Sequence, residues 1–437
     1  MFGIFLILIF FPNCLCSDTA EEQVCNVTSY PHDYLRILPA MVPYQFNESY
    51  EVIEISNSTG ALCLDGSNFK FLFSHGKGSG SDKFMFFFQG AGYCGADGQE
   101  FLISCVSRTQ TEYGSSSSWG DNGTTVYTNE ALGYFSSNQT HNPKFWSWNK
   151  VVVKYCDGAN FQGYLEDPVE YNGTKLWFRG FNNTLSVFEY ARMHLGLFDA
   201  SEVILTGTSS GGVAAMIWIQ YLAAYYLPSS VKLVGLPDGG LFIDFYNELA
   251  GCYLFRHNNM VVSNFTNSKT LELFKTCKYY NTSEIWKCFI PQYFYKQINS
   301  PLFIVNAIYD CEELATSYGI PCVVYGADTC TKEDRKKLVE FQEKFYQVIL
   351  KIRKNKTRWG YWARGCFEHV YYNTWAWYGE TMNTFSAEVN EAQSFRRAFY
   401  DWYDNLDKNF TMSTFLDLED WLHSKNCVKY KDAHPPY

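Results

Sequence analysis

A chain of 437 residues, 47% of them hydrophobic and 18% charged, has ample material for one large core or two modest ones. Its net charge of −10 argues against a nucleic-acid partner, which would call for a basic face. Aromatic residues make up 19% of the chain and could line an acyl pocket or stack on sugar rings, although a general compositional habit accounts for most of them.

Phe2 to Phe11 is an apolar run followed by smaller and polar residues, too short to span a bilayer comfortably. Residues 1–17 are read as a secretory signal, despite the missing basic n-region, with cleavage expected near Cys16 or Ser17. N-x-S/T sequons recur from Asn26 to Asn409, which agrees with secretion. Of 15 cysteines two lie in the signal, and the 13 that remain are scattered rather than grouped as CxxC pairs. That pattern favours disulfides over zinc and leaves one thiol over. No later stretch offers about 18 uncharged apolar residues, and the tail Lys429–Tyr437 is polar, so neither a membrane span nor a lipid anchor is expected.

After a polar lead-in, strand-like runs are expected at Tyr50–Ile55 and Phe69–Phe73. The glycine-rich stretch His75–Asp82 lacks the ending of a phosphate loop and reads as a hairpin turn. Phe84–Phe88 and Val151–Tyr155 are uninterrupted apolar runs, as in buried central strands. Helical spacing covers Asn182–Leu197 and Val213–Tyr226, and short strands are expected at Val203–Leu205, Leu233–Leu236 and Leu302–Val305. Residues 245–297, with Cys252, Cys277 and Cys288 and little periodicity, read as a lid insertion. Amphipathic helices are expected at Glu333–Lys351 and Glu391–Asn405, either side of a loop at Thr357–Tyr372. Strands alternating with helices imply an α/β fold with a mainly parallel sheet, and without repeats or a linker residues 18–437 form one domain.

The chain centres on Gly207-Thr-Ser-Ser-Gly-Gly212, a G-x-S-x-G motif between a strand and a helix. Small residues there let a serine nucleophile, Ser209, stand at the tip of a tight turn while the helix aims its first N–H groups at developing negative charge. A serine needs an imidazole to take its proton and an acid to orient that imidazole, in the chain order Ser, acid, His. Of the four histidines after Ser209, His369 fits the last place best, since His257 lies in the lid segment and His423 and His434 lie near the end. Asp238 and Asp310 each follow a strand and stand as alternatives for the acid. Backbone N–H groups of Ser210 and of the loop Gly90-Ala-Gly92 are the candidate oxyanion donors.

Six blocks in order resemble the pectin acetylesterase/Notum family. They are Gly90–Cys94, Asn142–Trp146 leading to Val153–Cys156, Gly207–Gly212, Gly235–Gly240, Pro301–Asp310 and Cys366–His369. The resemblance implies an α/β-hydrolase-like fold, a Ser209–Asp310–His369 triad, an oxyanion hole of Ala91, Gly92 and Ser210, and no metal or cofactor. It also implies the disulfides Cys63–Cys156 and Cys94–Cys105, and leaves Asp238 a structural or pocket-lining role. This chain departs from the family pattern at Ala91 and Tyr93, where more glycine and a tryptophan are usual, at Ser210, where alanine is usual, and at Pro237 and Gly239. The expected function is a secreted serine esterase that deacetylates polysaccharide. Removal of a fatty acyl group from a lipidated protein and a non-catalytic glycan-binding role are the alternatives.

Overall fold

The computed structural model describes residues 48–95, 98–128, 132–268, 272–325, 329–372, 377, 383–386, 391–406 and 414–417. The signal at residues 1–17, the sequons at Asn26, Asn47 and Asn409, His423, His434 and the polar tail lie outside them.

The chain opens with strands β1 (Ser49–Glu54), β2 (Lys70–Ser74) and β3 (Lys83–Phe88), followed by helix α1 (Gly98–Arg108). Strands β4 (Thr125–Tyr127) and β5 (Asn149–Val153) come next, then a small hairpin of β6 (Val169–Tyr171) and β7 (Thr174–Leu176). Helix α2 (Gly180–His194), strand β8 (Glu202–Thr208), helix α3 (Ser210–Tyr225) and strand β9 (Lys232–Asp238) form the centre. Helices α4 (Leu254–Phe265) and α5 (Pro291–Phe294) lead to β10 (Phe303–Ala307), α6 (Cys311–Thr316) and α7 (Lys332–Asn355). Strand β11 (Gly360–Arg364) is followed by the paired β12 (Asn383–Ser386) and β13 (Glu391–Ser394), then α8 (Phe395–Asn405) and β14 (Thr414–Leu416).

Ten strands form one sheet in the order β14-β11-β10-β9-β8-β3-β5-β2-β1-β4. Pairing is parallel from β14 to β5 and antiparallel across β5, β2, β1 and β4. The uninterrupted apolar strands behave as sequence alone dictates, since successive side chains leave opposite faces. Phe84, Phe86 and Phe88 enter the core beneath Phe188 and Trp218 of α2 and α3, whereas Met85 and Phe87 enter the one containing Phe395, Phe399 and Trp402 of α8. Helices on both faces of a mainly parallel sheet place the carboxyl ends of β8, β9, β10 and β11 along one edge.

Three local expectations are corrected. The stretch His75–Asp82 is not a hairpin turn, because β2 and β3 do not pair and β5 lies between them in the sheet. The stretch read as a loop at Thr357–Tyr372 contains β11, which pairs in parallel with β10 from Phe303–Gly360 to Ala307–Arg364. Its glycine and arginine mask a strand that is buried throughout. The helix expected from Glu391 starts four residues later, at Phe395, because Ser394 caps it by accepting the Arg397 N–H and residues 391–394 pair with 383–386.

Candidate active site

The strand-to-helix turn between β8 and α3 holds Ser209 at φ 57° and ψ −126°, a region that side-chain-bearing residues seldom occupy. Such strain costs about 1–3 kcal/mol. Full burial of Val203, Ile204 and Leu205 just before it contributes roughly 1.5–3 kcal/mol per side chain, so the strand readily holds the turn. The Ser209 N–H donates to the Asp238 carbonyl at 2.9 Å, which ties the turn to the end of β9.

Asp310 lies three residues beyond β10 and is 1% exposed. It caps α6: its Oδ1 accepts the N–H groups of Glu312 and Glu313 at 3.1 and 3.0 Å, which fixes the carboxylate's orientation. His369 Nδ1 sits 2.8 Å from both Asp310 oxygens. The Cys311 N–H donates to the Glu368 carbonyl at 3.1 Å, joining the start of α6 to the histidine loop. Burial alone favours a neutral ring, but the Asp310 carboxylate beside it raises the His369 pKa to about 9. Among the described residues no hydrogen bond joins His369 to Ser209.

Asp238, the other candidate acid, is fully buried and turned elsewhere. Its two oxygens accept the Tyr371 N–H at 2.9 and 3.0 Å, and Oδ2 accepts the Tyr372 N–H at 2.7 Å. Burial pushes its pKa up to about 7 even against these bonds.

The Gly90–Cys94 loop lies across the start of α3. Ala91 and Gly92 aim their N–H groups at one oxygen, Ser210 Oγ, each at 3.0 Å. Sequence reasoning assigned those two amides to a substrate oxygen and missed the hydroxyl they meet; the signal was the serine standing where the resembling family has alanine. The loop is held by the Cys94–Cys105 disulfide, by the Cys94 N–H on the Gly158 carbonyl at 2.8 Å and by Arg108 donating to the Tyr93 carbonyl at 2.9 Å. Cys63–Cys156, Cys277–Cys288 and Cys322–Cys330 are also bonded. Cys311 is the free cysteine among the described residues, and burial pushes its thiol pKa well up.

The segment read as a lid, residues 245–297, packs at both ends. On α4, Phe255 lies 5.2 Å from the Phe242 ring, which itself lies 6.3 Å from that of His369, and Asn259 reaches the Tyr93 hydroxyl at 3.5 Å. Farther on, Leu273, Phe274 and Phe289 share a core with Met216 and Ile217 of α3.

A mainly parallel sheet with helices on both faces and a strained serine turn at the carboxyl end of a central strand is the architecture of the α/β-hydrolase fold. The family model for pectinacetylesterases matches residues 44–428, and the chain belongs to that family. It is a carboxylic ester hydrolase. It is 30% identical to pectin acetylesterase 5 of Arabidopsis thaliana over 80% of this chain and 79% of that protein. It is 26% identical to the human palmitoleoyl-protein carboxylesterase NOTUM over 62% of this chain and 53% of that one. Its fold is similar to that of the Drosophila Wnt deacylase Notum, with a TM-score of 0.68 at 18% identity, over 87% of this chain and all of the other.

Proposed function

We propose that this protein removes acetyl or similarly small acyl groups from polysaccharide through an acyl-enzyme on Ser209, with His369 as base and Asp310 as the group that orients it. The single observation that carries the triad is the Nδ1 of His369 held 2.8 Å from both Asp310 oxygens. Bonding at Nδ1 leaves Nε2 as the nitrogen that exchanges protons with Ser209. Ser209 Oγ attacks the ester carbonyl, its proton passes to Nε2, and the carbonyl's electron pair moves onto oxygen. That oxyanion meets the Ser210 N–H at the open start of α3 and the amides of Ala91 and Gly92. Collapse expels the sugar alkoxide, which takes the proton from the ring; water then repeats the sequence to release acetate. The small-acyl reading is supported by likeness to pectin acetylesterase 5 over most of both chains. The four disulfides that join pairs of described residues support a place in the secretory pathway, and we read the protein as secreted.

The test compares p-nitrophenyl acetate with the octanoate, and acetate release from acetylated pectin, for wild type and Ser209→Ala. The acetyl ester turned over faster, acetate released from pectin and both lost in the variant is the expected outcome. A preference for octanoate overturns the small-acyl assignment, and turnover by the variant overturns the nucleophile.

A further inference from the structure

Two backbone N–H groups converging on one oxygen is what a tetrahedral oxyanion requires. In the free protein that oxygen belongs to the protein itself. Ser210 Oγ accepts the N–H groups of Ala91 and Gly92 at 3.0 Å each, and the residue is 3% exposed. The same residue begins α3 and directly follows the nucleophile, so its side chain and the acyl carbonyl approach the same donors. Two oxygens cannot both occupy one such position.

We propose that the Ser210 hydroxyl is the resident occupant of the oxyanion cradle, displaced by rotation about χ1 as the tetrahedral intermediate forms, so that residue 210 sets the rate of acylation. This rests on the serine-esterase reading above. The physical order of events follows from hydrogen-bond strengths. A ground-state ester carbonyl is neutral, as the hydroxyl is, and gains little by exchanging with it. An oxyanion forms charge-assisted bonds roughly twice as strong, and it displaces the hydroxyl. The cost of moving the side chain therefore falls on the transition state rather than on substrate binding, and appears in kcat rather than KM. Alanine has no oxygen to displace. Threonine keeps the hydroxyl on a side chain stiffer at χ1.

The experiment pairs two crystal structures with kinetics. The structures are of the free wild type and of protein phosphorylated at Ser209 with diethyl p-nitrophenyl phosphate; the kinetics use p-nitrophenyl acetate with wild type, Ser210→Ala and Ser210→Thr, after melting curves confirm folding. Free protein should show Ser210 Oγ on the Ala91 and Gly92 amides. The adduct should show a phosphoryl oxygen there with Ser210 turned away. Ser210→Ala should raise kcat by about three- to thirtyfold, the worth of one or two ordinary hydrogen bonds, with KM little changed, while Ser210→Thr lowers it. A free structure with Ser210 turned away, or an alanine variant with kcat unchanged or reduced, overturns the proposal. If Ser209 takes no label and no ester is turned over, the esterase reading fails, and the free structure still decides whether the hydroxyl is resident.

Discussion

Asp238 accepts the Tyr371 backbone N–H on both carboxylate oxygens, at 2.9 and 3.0 Å, two residues beyond His369. With the Tyr372 bond at 2.7 Å, one buried side chain anchors the loop that carries the ring. The same residue's carbonyl accepts the Ser209 N–H, so the Ser209 turn and the His369 loop meet at Asp238.

Replacing Asp238 with alanine removes an acceptor from two buried N–H groups, at about 1–3 kcal/mol each, and frees the His369 loop. Asp238→Ala is expected to lose about 2–6 kcal/mol in urea denaturation and to lower kcat. Because its folded pKa of about 7 lies above the ordinary 3.8, the fold favours the neutral carboxyl. This contribution to stability is complete below pH ~3.8 and is lost as pH rises through about 7. Asp238→Asn should flatten the fall in stability across that window; an unchanged slope would assign it to other groups.

The raised His369 pKa predicts an alkaline-leaning enzyme. As the proposed base, His369 is active when neutral, so kcat/KM should climb with pH towards a plateau above about 9. The corresponding stability contribution is complete below the ordinary 6.5 and lost as pH rises through about 9. Asp310→Asn removes the charge that raises the ring, so the rising limb should move to lower pH while kcat drops by roughly 10²–10⁴. A limb that stays in place would mean that Asp310 does not govern the ring.

How much of this was legible in the sequence depended on burial and locality. Phe84–Phe88 and the Gly207–Gly212 turn were readable because their patterns are continuous in the chain. Position in the chain favoured Asp310 over Asp238 only slightly and the resemblance chose it, since both follow strands and only tertiary packing sends one carboxylate to His369 and the other to the Tyr371 backbone. Strand β11 escaped because Gly360 and Arg364 at its ends leave only Tyr361 to Ala363 as an apolar run, though both are buried. The Ser210 hydroxyl could not be placed from sequence, because its partners lie 118 and 119 residues away.

Two glycines of the site fail differently when given a side chain. A Cβ on Gly211 would lie 2.0 Å from the Phe88 carbonyl oxygen, and a backbone atom of a central strand cannot move aside. On Gly92 the nearest atom is the tip of Arg108 at 3.6 Å, and the obstacle is φ +64°, costing about 1–2 kcal/mol. Gly211→Ala should therefore lower the melting temperature more than Gly92→Ala does. The reverse order would show that the turn does not pack against β3 as described.

The Cys94–Cys105 bridge closes a short loop next to the proposed oxyanion donors. Loop-closure entropy puts its contribution at about 3 kcal/mol. A Cys94→Ala/Cys105→Ala protein is expected to melt lower and to lose kcat more than a Cys277→Ala/Cys288→Ala protein, whose bridge has the same separation of 11 residues but lies in the 245–297 segment. Equal losses of kcat would remove the link between the first bridge and the Gly90–Cys94 loop.

The central claim is that Ser209 is made nucleophilic by His369, and covalent labelling tests it most directly. After treatment with diethyl p-nitrophenyl phosphate, peptide mass spectrometry should find one phosphorylated site, Ser209, with labelling abolished in His369→Ala. A label on another residue, or undiminished labelling of Ser209 without His369, would contradict it.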